Sequence, residues 1–153
     1  MNRLALSLTA VAACAAGLTA FAPARSAEQV AVEGAVKDYV EAFYKAAPDR
    51  LARSVSADLK KMGYWRQNAE SAYKGPLHMT FDEATALAGE WNVEGRQGED
   101  LRYEIDVFEV LDKIANAKVT AKWGVDYFQL VKEEDRWVIH HVLWQSHPPK
   151  SGK

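Results

Sequence analysis

Tyr103-Glu104-Ile105-Asp106-Val107-Phe108-Glu109-Val110 is where the chain changes character, because apolar and charged residues begin to alternate with the period of a strand. Tyr103, Ile105 and Val107 share one parity, and Phe108 and Val110 take the other. A slip of one residue inside a long strand predicts a bulge or a sharp bend. Asp112 to Asn116 has turn character, after which Ala117, Val119, Ala121 and Trp123 alternate with Lys118, Thr120 and Lys122. That pattern is a strand with one wet face, and it reads on through Val125 and Tyr127 to Val131. Glu133-Glu134-Asp135 then turns the chain back into a last strand. There Trp137, Ile139, His141 and Leu143 take one face and Val138, His140, Val142 and Trp144 the other. With both faces largely apolar, this last strand is expected to be covered on both sides.

Upstream of Tyr103 the period is helical. Val32, Val36, Tyr39, Phe43 and Ala46 fall at spacings of four, three, four and three, the stripe of an amphipathic helix from Glu28 to Ala46. Glu33, Lys37, Glu41 and Lys45 alternate in sign along another of its faces. Pro48 ends this helix and can open a second, with Leu51, Ala52 and Val55 as its apolar stripe. Thr80-Phe81-Asp82-Glu83 is a capping box announcing a third helix, which Gly89 closes. Helices followed by a meander of long, bent strands define an α+β fold, with the N-terminal helices packed on one face of a strongly bent antiparallel sheet. Such a sheet, closed by helices, makes a cone whose open end is a cavity.

The chain has 153 residues, 48% hydrophobic and 26% charged, with a formal charge of −2. This is the size of one domain with enough apolar material for a core. The near-neutral charge argues against nucleic acid or an anionic membrane as partner. Residues 1–24 read as a signal peptide: Arg3, an Ala/Leu-rich apolar run from Leu4 to Ala22, and cleavage after Ala24, with Ala27 a later option. The domain then spans 28–147, and 148–153 form a flexible tail. The expected location is periplasmic or secreted; the alternative is a lipoprotein, because Val11-Ala12-Ala13-Cys14 resembles a lipobox. Without that anchor, no stable membrane association is expected. Loss of Cys14 with the leader removes the only cysteine, and with it disulfides, thiol nucleophiles and thiolate metal sites.

Asp126 sits between Val125 and Tyr127 in an apolar stretch, where a carboxylate facing a cavity would have a raised pKa and suit proton transfer. An unbroken strand instead gives it the parity of Thr120 and Lys122 and a wet face, and a bulge at Gly124 would change that parity. His140 and His141 are adjacent on a strand and point apart, so they do not jointly hold a metal, and no compact ligand motif involves His78 or His147. No metal or cofactor is expected. The candidate catalytic set is Asp126 and His141 as an acid/base dyad, with Tyr127 as an auxiliary donor. Tyr39, Phe43, Trp65, Trp91, Trp123 and Trp144 are the candidate ligand-binding rings, Trp65 and Trp91 at the cavity rim between elements. Lys60, Lys61 and Arg66 read as a solvated basic loop. There is no Gly-x-Ser-x-Gly elbow, phosphate loop or dinucleotide fingerprint, which excludes those hydrolase, kinase and dehydrogenase classes.

Five stretches together carry a family resemblance: Asp38-Tyr39-Val40-Glu41-Ala42-Phe43-Tyr44, Ala57-Asp58-Leu59-Lys60-Lys61, Tyr103 to Leu111, Trp123-Gly124-Val125-Asp126-Tyr127-Phe128, and Trp137-Val138-Ile139-His140-His141-Val142-Leu143-Trp144. In order and spacing the chain resembles the lumazine-binding family of the nuclear transport factor 2-like (NTF2-like, SnoaL-like) superfamily. The resemblance implies a cone-shaped, cystatin-like fold and a pocket. That superfamily includes isomerases, dehydratases, cyclases, small-ligand binders and inert partners, so no reaction is implied. The expected function is an exported binder of a small aromatic or hydrophobic ligand. The alternatives are a cofactor-free acid/base enzyme on the same fold, or a non-catalytic homodimeric module joined through a sheet face carrying Val138, Val142 and Trp144.

Overall fold

The computed structural model describes residues 24–98 and 100–149. The leader expected up to Ala24, with Cys14, lies outside them but for its last residue, as does the tail from Lys150. Helix α1 (Ala27–Tyr44) begins at a capping box in which the Ser26 hydroxyl accepts from the Gln29 N–H and the Gln29 side chain accepts from the Ser26 N–H. Helix α2 (Pro48–Ser54) follows at a tight corner with its proline in the first turn. Helix α3 (Phe81–Glu90) carries the expected Thr80/Glu83 capping box. It runs one residue past Gly89, and a short 3₁₀ turn (Val93–Gly95) leads onward.

Six strands form one mixed sheet: β1 (Val55–Trp65), β2 (Lys74–Met79), β3 (Glu104–Val110), β4 (Ile114–Ala121), β5 (Gly124–Glu133) and β6 (Arg136–Ser146), in the order β2-β1-β6-β5-β4-β3. All neighbours are antiparallel except β1 and β6, which run parallel and join the two ends of the domain. The α+β class holds, and the wholly antiparallel sheet is corrected to a mixed one. Its cause is the stretch 55–65: Val55, expected to close the second helix, is the first residue of a strand. Beyond Val55 that strand has no β-branched residue, so its sequence carried little strand signal.

Two irregularities set which side chains face the helices. The pairing of β3 with β4 slips between Val107 and Glu109, the bulge expected from the parity change at Phe108. A second slip lies opposite Gln129 and Leu130, which pair with His141 and Ile139 and leave His140 bulged out of register. Ile139, Val142 and Trp144 therefore pack on the inner core, while His141 and Leu143 are exposed. This corrects the single-parity reading of the last strand; Val142 turns to the inner core, and Val138, of opposite parity to Ile139, is buried as well, so neither offers an exposed contact surface. Val125 to Val131 does not prolong the preceding strand. Ala121 pairs with Gly124, so Lys122-Trp123 is a two-residue hairpin loop and a new strand begins.

The apolar stripe of α1, with Val32, Val36, Tyr39, Val40 and Phe43 all buried, lies on this inner face against Ala117, Val119, Phe128, Leu130 and Ile139. Tyr39 meets Phe43 and Phe128 edge-on, with ring centroids 5.3 and 5.0 Å apart. Around the α1–α2 corner the charges are paired: Arg50 and Arg53 both donate to Asp38, and Lys45, Arg50 and Tyr103 reach Glu41. The Arg53 bond, with Arg50, holds the Asp38 carboxyl below its usual range despite partial burial. The stability this group contributes is complete above the ordinary carboxylate range and is lost as pH falls through its depressed value. Asp38→Asn should therefore lower the melting temperature at neutral pH and leave it matching wild type in acid. An equal gap at both pH values would show that Asp38 acts by packing instead.

Candidate functional site

Where the sheet opens away from the helices, a pocket of about 1120 Å³ lies between β1, β6, the β4–β5 hairpin and the end of α3. Its inner wall carries Phe43, Lys61, Leu87, Trp91, Trp123 and Trp144, and Trp65 and Arg66 stand where β1 ends. The rings pack on one another, Trp123 against Phe43, Tyr44 and Trp91 at centroid distances of 5.4, 5.6 and 5.2 Å. Arg66 is buried; its guanidinium donates to the Ala69 and His147 carbonyls and its N–H to Ser146, fixing the loop after β1 to the end of β6. Gly63 is a necessity of this wall. A Cβ there would lie 2.3 Å from the Trp144 carbonyl oxygen and 2.4 Å from the indole, so only glycine lets Trp144 lie over β1.

Beneath the pocket lies a buried polar chain. Lys61 Nζ donates to Tyr39 Oη at 2.6 Å, and Tyr39 Oη donates to Asp126 Oδ2 at 2.9 Å. The other carboxylate oxygen accepts from Trp123 Nε1 at 2.7 Å. All three titratable groups are buried and belong to three elements, β1, α1 and β5. Desolvation pushes the Asp126 carboxyl up, against the opposing pull of Lys61 and the two donors. It pushes the Lys61 amine down, against the pull of Asp126. Burial and the Asp126 charge push the Tyr39 phenol well up. The Lys61 ammonium also stands 5.1, 5.0 and 5.7 Å from the ring centroids of Tyr39, Phe43 and Trp144, within cation–π range. Among the described residues Trp144 Nε1 is buried with no acceptor.

Five of the six expected ring residues, Phe43, Trp65, Trp91, Trp123 and Trp144, line this one pocket, and Tyr39 lies below it as the centre of the polar chain. Trp65 ends a strand and Trp91 caps α3, so neither is in a free loop. Asp126 is inside, fully buried, because the hairpin at Lys122-Trp123 separates its strand from that of Thr120. His141 and Tyr127 are not with it. His141 is exposed and its Nδ1 contacts Gln129 at 2.8 Å, while Tyr127 is half exposed and stacks on Phe108. The Asp126–His141 dyad is thus not formed, since the two lie on opposite faces of the sheet, and Tyr127 stands on the face away from Asp126 as well. Nor do Lys60, Lys61 and Arg66 make a solvated loop: Lys61 and Arg66 are buried at the site. Lys61 is the residue that sequence reasoning missed. The signal for it was the shared parity of Leu59, Lys61 and Gly63, visible only once 55–65 is recognised as a strand.

A bent mixed sheet wrapped on three helices, with a pocket at its open end, is the architecture of NTF2-like proteins. The chain belongs to the family whose model is described as "Putative lumazine-binding", which matches residues 27–145. No curated protein matches the chain significantly. Among solved structures it is similar to an NTF2-like protein of unknown function from Silicibacter pomeroyi, with a TM-score of 0.61 at 20% identity over 77% of this chain and 94% of that one. It is also similar to a ketosteroid isomerase-like protein from Erwinia carotovora atroseptica (TM-score 0.54, 19% identity, 82% and 100% covered). A third is described as a "Putative Scytalone Dehydratase" from Novosphingobium aromaticivorans (TM-score 0.51, 13% identity, 82% and 95% covered). At these identities the likeness is one of fold.

Proposed function

We propose that the protein is exported and binds a small planar molecule in the pocket at the open end of the sheet, its ring among Phe43, Trp91, Trp123 and Trp144. The observation that carries this is the wall itself: four large rings and Leu87 beside the buried Lys61 ammonium, in a pocket large enough for a molecule of drug size. The rings supply stacking area, and Lys61 favours a ligand with an electron-rich or acidic edge. Membership of a lumazine-binding family accords with a heterocyclic ligand.

Tryptophan fluorescence titrated with a panel of planar aromatics tests the idea, and native mass spectrometry of the protein as purified would show a retained molecule. Trp91→Ala should weaken binding of the best panel member about tenfold, the equivalent of about 1.4 kcal/mol of stacking. If no panel member quenches the fluorescence and no molecule is retained, the pocket does not bind such ligands. Export is checked by N-terminal sequencing of the protein released from cells, with Arg25 the expected first residue.

A second reading concerns association. Phe108, Tyr127 and Leu143 are each at least half exposed on the outer face of the sheet and share an apolar hollow there with Met62. We propose this face, in place of one built on Val138, Val142 and Trp144, as the homodimer surface. Leu143→Glu should convert a dimer seen by light scattering into a monomer, and a wild-type monomer at high concentration would rule the surface out.

A further inference from the structure

We propose that Lys61 is a covalent capture site: its amine condenses with the carbonyl group of an aryl aldehyde or ketone held in the pocket, while Tyr39 and Asp126 take up and return the proton. The proposal rests on the pocket binding a planar aromatic molecule, and adds which functional group that molecule carries and what happens to it.

The geometry is that of an amine prepared to lose a proton. Parallel pairing with β6 sets Lys61 opposite Val142 and Gly63 opposite Trp144, so Lys61 shares the inner face with the rings. Lys61 is one of the pocket-lining residues, together with Phe43 and Trp144, two of the three rings around its nitrogen. Among the described residues its hydrogen-bond partner is Tyr39 Oη alone, and the carboxylate of Asp126 is reached through that hydroxyl. Moving each proton one bond along the chain, from Nζ to Oη and from Oη to Oδ2, converts ammonium and carboxylate into amine and carboxylic acid. No heavy atom has to move. Burial lowers the cost of reaching that neutral arrangement at both ends, in the same direction as the shifts of the two groups. A lysine whose only role was to neutralise Asp126 would gain nothing from lining the pocket, and a direct ion pair would serve it better.

The step balances without a co-reactant. The lone pair of the neutral amine forms the C–N bond as the carbonyl π pair moves to oxygen, and a proton passes from nitrogen to that oxygen to give the carbinolamine. Asp126 returns its proton through Tyr39 to the hydroxyl, the C–O bond breaks, and water leaves. The product is an iminium on Lys61 with Asp126 again a carboxylate. Ammonium and carbonyl compound have become iminium and water, with nothing oxidised or reduced.

Reductive trapping tests this on the full chain. The protein is incubated with 2-naphthaldehyde and sodium cyanoborohydride, digested, and mapped by mass spectrometry, while 2-naphthalenemethanol, which lacks the carbonyl, is titrated by tryptophan fluorescence. The expected result is one naphthylmethyl group per chain on Lys61, formed about tenfold faster than on the average surface lysine, because burial leaves more of this amine unprotonated and the pocket holds the aldehyde beside it. Tyr39→Phe should slow labelling of Lys61 about tenfold by cutting the relay, which a purely structural lysine would not show. Lys61→Arg, checked for folding by near-ultraviolet circular dichroism, should lose the fast phase; if it does not fold, the map of the wild-type adduct decides alone. The inference is overturned if the alcohol binds while the aldehyde labels surface lysines and leaves Lys61 unmodified. If neither compound quenches fluorescence and Lys61 stays unlabelled, the binding reading fails and the inference fails with it.

Discussion

Asp126→Ala is expected to destabilise the protein by about 3–5 kcal/mol, because it leaves the Lys61 end of the polar chain buried without its counter-charge. Among the described residues no other carboxylate is paired with Lys61: its neighbours are the rings of Tyr39, Phe43 and Trp144, and Tyr39 Oη would lose its acceptor as well. Trp123 Nε1 would be orphaned in the same step, which loosens the hairpin that closes the pocket. Removing both charges together should be far milder. A Lys61→Met/Asp126→Leu double variant keeps the volume roughly constant and carries no uncompensated ion, so it should recover most of the loss. Urea unfolding of the two single variants and the double variant measures the coupling. A loss under about 1 kcal/mol for Asp126→Ala would mean that the chain is already neutral or hydrated in the native protein.

Gly124→Ala is expected to cost about 3 kcal/mol or more through backbone crowding and strain together. Gly124 opens β5 with φ of +152°, and a Cβ would lie 1.9 Å from the Gln145 carbonyl oxygen and 2.8 Å from the Cα of Ser146. Those are main-chain atoms of β6, the strand to which Gly124 is paired, and they cannot swing away like a side chain. The melting temperature should fall by roughly 10 °C for a domain of this size. Gly34→Ala is the natural control, since a Cβ there meets nothing within 4 Å and the residue lies inside α1. That change should be stabilising by up to about 1 kcal/mol through helix propensity. If the two substitutions behaved alike, the close approach at Gly124 would be relaxed by movement of β6.

What the sequence disclosed depended on how strong each local signal was. The stripe of α1, the Thr80 capping box and the bulge at Phe108 are patterns internal to one segment, and each lies where the periodicity places it. The mixed sheet was not legible, because pairing of β1 with β6 joins residues about eighty apart and leaves no local trace. The site was lost for a related reason. The inward direction of Asp126 follows from a two-residue turn ending at Gly124, and the outward direction of His141 from a bulge at its neighbour; one residue of slip reverses a face. The rings were found because large aromatics announce themselves by type. Lys61 was hidden because a lysine in a polar-looking segment is most often solvated.

The parallel pairing of β1 with β6 has a kinetic consequence. The first strand of the sheet cannot reach its inner neighbour until the last strand exists, and β6 also supplies the partner of β5. Helices α1 and α2 form from local contacts, yet the sheet they need waits on Arg136–Ser146. A nascent or shortened chain ending before Trp137 would therefore leave β1, with Leu59 and Lys61, without its inner neighbour in the sheet. Closure by such distant segments predicts slow, late-committing folding relative to a helical domain of similar length, with the polar chain among the last groups to leave water.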